Sequence, residues 1–83
     1  MIEIQADYFQ GLQGDLRLEH VYLNQKKISC IGKPIQSTRI CDGEHIDTWF
    51  FTVIIDGSSQ RYEYRDAKTC GLWFDFVFAA VEL

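Results

Sequence analysis

The chain has 83 residues, 47% hydrophobic, 14% aromatic and 24% charged, with twelve acids against eight lysines and arginines for a net charge of −4. That length makes one domain, residues 1–83, and its apolar content is enough for a core, which excludes a disordered chain. The acidic balance argues against a surface built for nucleic-acid phosphates or anionic lipid.

Met1 to Gln13 fits two readings. Ile4, Tyr8, Phe9 and Leu12 would line one face of a short helix stopped by Gly14, whereas Ile2 and Ile4 alone suit an edge strand. The segment has no basic n-region and carries Glu3, so no secretory signal is expected. Residues 16–23 alternate as a strand does, 24–27 read as a polar turn, and 28–32 as the return strand. Pro34 is barred from a central strand and marks an edge or a turn. A further short strand is expected over 36–41 and a turn at Asp42-Gly43-Glu44.

The back half is clearer. Residues 48–55, Thr-Trp-Phe-Phe-Thr-Val-Ile-Ile, are aromatic and β-branched and predict a strand. Asp56-Gly57-Ser58-Ser59 supplies a hairpin turn, since Asp-Gly tolerates positive φ. Gln60 to Arg65 then alternates, with Tyr62 and Tyr64 on one face and Arg61, Glu63 and Arg65 on a face expected to meet water. Asp66 is placed to cap a helix by accepting from the amide of Lys68 or Thr69. From Ala67 onward, Cys70, Phe74, Phe78 and Val81 recur at helical spacing, with Leu72, Trp73, Phe76, Ala79, Ala80 and Leu83 on a neighbouring stripe. Lys68, Asp75 and Glu82, seven apart, form one solvent stripe. The alternation of residues 74–78 offers a strand locally, but length, cap and charge spacing favour helix. Gly71 weakens that helix by about 1 kcal/mol relative to alanine. The longest apolar stretch, Cys70 to Val81, is broken by Asp75 and is far short of the ~20 residues of a membrane span, so no membrane association is expected.

Three groups of residues could carry chemistry. Cys30, Cys41 and Cys70 are odd in number and widely spaced, which favours a reducing, cytoplasmic setting. A tight hairpin at Pro34–Ser37 would set Cys30 opposite Cys41, but paired ligands at short spacing are missing, so neither a metal site nor a cofactor is expected. Packing as small apolar groups is the simpler role. His20 follows Glu19, which an extended chain would turn to the opposite face; His45 and Asp47 share a face and make the better pair. No nucleophile elbow, phosphate loop or dinucleotide turn accompanies them, and no catalytic residue is assigned. Tyr62 and Tyr64 beside Arg61 and Arg65 suggest a nucleic-acid stacking platform, but alternation sends the rings and the guanidinium groups to opposite sides.

The expected fold is α+β: a small antiparallel sheet of about four or five strands with a C-terminal amphipathic helix packed on one face. The expected core is Phe50, Ile54, Tyr62, Tyr64, Cys70, Phe74, Val77, Phe78 and Val81. One helix covers one sheet face, so the opposite apolar face and the outer helix stripe need another cover. The expectation is a non-enzymatic protein-interaction module acting as a homodimer, with Trp49, Phe51, Trp73 and Phe76 in the interface. The alternative is a small-molecule-binding or catalytic domain using His45 and Asp47 beside an aromatic pocket from Trp49 and Trp73.

Overall fold

Asp56 (φ 51°) and Gly57 (φ 80°) both take left-handed backbone conformations, the geometry of a two-residue turn whose twist matches the strands it joins. The turn fixes the central hairpin. Strand β7 (Glu44–Ile55) pairs with β8 (Ser58–Tyr64), from Ile55 opposite Ser58 to Trp49 opposite Tyr64. A computed structural model describes the backbone of residues 1–11, 14–17, 20–41 and 43–81, with all their side chains except those of 8–11, 14–17 and 41.

Around this hairpin the described residues form a six-stranded antiparallel sheet and a separate two-stranded one. On the far side of β8 lie β2 (Tyr8–Gly11) and β3 (Gly14–Arg17). On the far side of β7, β5 (Ile28–Ile31) and β6 (Ile35–Cys41) follow one another along the same edge. Between them Gly32 still donates its amide to the carbonyl of Thr52 at 2.8 Å, and Pro34, which has no amide to offer, occupies the break. The small sheet pairs β1 (Ile2–Ile4) with β4 (Val21–Leu23), and a 3-10 turn at Gln25–Lys27 leads into β5.

Helix α1 spans Ala67–Val81. Asp66 caps it, accepting from the Thr69 amide at 2.9 Å and the Thr69 hydroxyl at 2.8 Å. Cys70 and Val77, seven apart, face inward and are fully buried. They meet Phe51, Val53, Tyr62 and Tyr64 of the sheet, with Ile4 and Leu23 of the small sheet closing the same cluster. Phe51 lies among three other rings: Tyr62 at 5.7 Å, Tyr64 stacked at 6.0 Å and Phe74 edge-on at 6.0 Å. Burial of this one side chain is worth roughly 1.5–3 kcal/mol by transfer alone.

The α+β fold, the Asp-Gly hairpin and the capped C-terminal helix are as the sequence predicts. Four expectations change. The helix covers the Phe51 face of β7 and not the Phe50 face, so Phe50 and Ile54 are half-buried on the opposite side and Phe78 is 49% exposed. The hairpin register decides this: Phe51 sits opposite Tyr62, while Phe50 shares its face with Arg61 and Glu63. Secondly, Glu63 does not meet water. It is 1% exposed. Thirdly, residues 16–23 and 28–32 do not form a hairpin. Part of the first segment pairs with β2 and part with β1, and β5 pairs with β7. Fourthly, Ile2–Ile4 is a strand and Tyr8–Gly11 another, so the N-terminal helix reading fails. Gly14 begins a strand instead of ending a helix.

Candidate functional site

β7 is twelve residues long, and β8 pairs with it only from Trp49 onward. Residues 44–48 therefore run past β8, accompanied among the described residues by β6 alone, and form a two-stranded arm. Seven consecutive pairs join β6 to β7, from Ile35 opposite Phe50 to Cys41 opposite Glu44, without a bulge, and the five from Ser37–Thr48 outward make the arm. A two-stranded ribbon is marginal in water by itself, so something must fix its root.

That anchor is polar. Glu63 of β8 lies under β7 and β6, and its carboxylate accepts from four donors. Arg39 of β6 grips it bidentately, Nη2 to Oε1 at 2.9 Å and Nε to Oε2 at 3.2 Å. The Thr48 hydroxyl donates to Oε2 at 2.5 Å, and Arg61 Nη2 donates to Oε1 at 3.1 Å. Arg61 also donates to the Ser37 hydroxyl at 3.2 Å and lays its guanidinium 3.8 Å from the centre of the Phe50 ring. Burial raises the Glu63 pKa, but the Arg39 and Thr48 hydrogen bonds and the two guanidinium charges outweigh it, so the carboxyl is held below its usual range. A carboxylate with both oxygens doubly engaged has no lone pair left for a substrate proton. Its role is to join β6, β7 and β8, not to act as a general base.

The residues singled out in the sequence are scattered about this anchor. His45 and Asp47 stand on one face of the arm, opposite Ile40 and Thr38, and both are exposed. Trp49 follows on the same face, half-buried against the core. Trp73 is half-buried on α1 and packs edge-on against Phe76, centroids 5.7 Å apart. Phe51 has no exposed surface at all, being covered by α1 of its own chain. Cys30 and Cys41 are not brought opposite each other, because β5 and β6 run end to end; they align with Ile54 and Glu44 respectively. Cys30 is exposed, and burial pushes the Cys70 thiol up to about 11, which leaves it unreactive. His20 finds its carboxylate at Glu3 across the small sheet, Nδ1 to Oε1 at 2.7 Å.

Arg39, Thr48 and Glu63 were not legible as a group, since they come from three strands and only the register unites them. No group of three histidine, cysteine or acidic side chains among the described residues is arranged to hold a metal. No described helix is long and apolar enough to cross a membrane.

The outer flank of α1 is the other unusual surface. Leu72 is 61% exposed and Phe76 46%, beside the half-buried Trp73. Exposed leucines are common singly, but large apolar side chains one turn apart on a helix make a contiguous strip. Lys68 and Asp75 alone among the described helix residues add charge to the exposed side. No protein family, no curated protein and no solved structure matches the chain.

Proposed function

We propose that the chain is a small, non-catalytic protein-interaction module that works as a homodimer, its two copies meeting through the outer flank of α1. The supporting observation is the exposed strip of Leu72 and Phe76 beside Trp73. Contiguous apolar surface of this kind marks interaction sites, and two-fold self-pairing is the commonest way to cover it. Phe51 contributes from beneath by supporting Phe74, while Trp49, Trp73 and Phe76 retain accessible surface for the contact. His45 and Asp47 stand open on the arm, and no observation favours a small-molecule site there. The test is light scattering at micromolar concentration. The wild-type chain should weigh about twice 9.7 kDa, and Phe76→Glu or Leu72→Glu should halve that mass with unfolding still cooperative. A monodisperse 9.7 kDa wild-type protein would end this reading.

A further inference from the structure

Among the described residues strand β6 pairs on one side only, with β7. Its outer edge is a row of backbone donors and acceptors, and the register says which residues own them. Two residues separate Cys41 from Glu44, so the arm closes on a hydrogen-bonded pair, and every second pair back from it is hydrogen-bonded as well. The amides of Ser37 and Arg39 therefore point at β7, and those of Gln36, Thr38 and Ile40 point away from it. The neighbouring bonds agree: Thr52, an even-numbered residue of β7, gives its carbonyl to Gly32 on this side. The side chains of Gln36, Thr38 and Ile40 share one face and are all exposed, Ile40 by 66%.

Natural edge strands are usually guarded by lysine, proline, a bulge or brevity. The upper stretch of this same edge has such guards: the β5 register shifts between Ile28 and Cys30, and Lys33 and Pro34 follow. β6 has none. It is seven residues long, regular, and contains neither lysine nor proline. Its one charged side chain, Arg39, is turned to the opposite face and bound to Glu63. The charge that remains on the arm is negative. Glu44 and Asp47 are exposed and have no cationic partner among the described residues.

We infer that the β6 edge is a strand-addition site for an extended, basic segment of a partner protein. The segment would add one strand to the sheet, taking its main-chain hydrogen bonds from Gln36, Thr38 and Ile40. Asp47 faces the same side as Thr38, two strand spacings or about 9.6 Å from the incoming backbone, within reach of a lysine or arginine side chain. A second copy of this chain fits less well, because antiparallel self-pairing would bring only Gln36, Thr38 and Ile40 of its β6 to that face and no lysine or arginine to Asp47. The inference extends the interaction-module reading by naming a partner class, and it uses a surface separate from the helix flank.

The experiment titrates the full chain with three capped octapeptides, following calorimetry and Trp49 fluorescence. One alternates lysine and valine, one alternates glutamate and valine, and the third is the lysine peptide N-methylated at alternate amides. The lysine peptide should bind at least tenfold more tightly than the glutamate peptide, and the N-methylated form should not bind. Thr38→Pro removes an outward amide that β7 does not use, so it should abolish binding while the protein unfolds at a similar temperature. Asp47→Lys should reverse the preference between the two charged peptides. Repeating the titration on Phe76→Glu keeps this test independent of the homodimer, since a monomeric variant should bind the lysine peptide equally well. Equal binding of the methylated and unmethylated peptides would mean charge attraction alone and overturn the proposal. So would undiminished binding by Thr38→Pro, or a wild-type mass that Thr38→Pro halves, which would assign the edge to a second copy.

Discussion

The two halves of β7 belong to one strand but are held by different forces. From Trp49 to Ile55 the strand is flanked on both sides and roofed by α1, and its inward residues Phe51 and Val53 are fully buried. Across residues 44–48 it has one neighbour among the described strands, an exposed outer face, and a polar anchor at its root in which Thr48 and Arg39 meet Glu63. Apolar burial is non-directional and tolerates small displacements. A four-donor carboxylate fixes position and register instead, since moving any strand breaks several directional bonds at once. The chain thus spends its large side chains on stability where the sheet is wide, and a buried acid on orientation where it narrows to two strands.

If that division is right, damage at the two places should differ in size and in pH dependence. Phe51→Ala removes the ring at the middle of the core and should cost about 3–5 kcal/mol, leaving little folded protein in a denaturant titration. Glu63→Gln should cost about 2–3 kcal/mol, less than the ~3–5 of a wholly buried pair because Arg61 keeps some contact with water. The acid limb separates the two variants. The folded-state pKa of Glu63 is depressed, so its contribution is complete above the unfolded carboxylate range near 4.5 and is lost as pH falls through the lower folded value. Glu63→Gln should flatten stability against pH in that window, whereas Phe51→Ala should shift the whole curve down without changing its shape. The smallest effect belongs to the arm's open face. Ile40→Ser, at a side chain 66% exposed, should change stability by no more than about 0.5 kcal/mol by thermal unfolding.

Local signals in the sequence were strong where a turn or cap had its own chemistry. Asp56-Gly57 and Asp66 each announce an element boundary within four residues, and both are where the sequence puts them. The helix follows from its spacing. Tertiary choices were harder. Alternation shows that Phe50 and Phe51 face opposite ways, but the side that α1 covers depends on what β8 places beside each. Counting back from the Asp-Gly turn aligns Phe51 with Tyr62, and that parity was available from the sequence alone. The partners of the N-terminal strands were not, because β4 pairs with a strand seventeen or more residues earlier and β5 with one more than twenty later. Glu63 illustrates the same limit. An acid between two tyrosines reads as a solvated face until Arg39, twenty-four positions away, is brought over it.

Amide hydrogen exchange along β6 in the free protein tests the two-part account most directly. Ser37 and Arg39 point at β7 and should be protected by the anchored arm, whereas Gln36, Thr38 and Ile40 should exchange at near-solvent rates, giving an alternation with period two. Amides of Phe51, Val53 and Tyr62 should be slower than either set, because they exchange only when the core opens. Uniform protection across 36–40 would show that the edge is already paired, and uniformly rapid exchange would show that Glu63 does not hold the arm; either result contradicts the account.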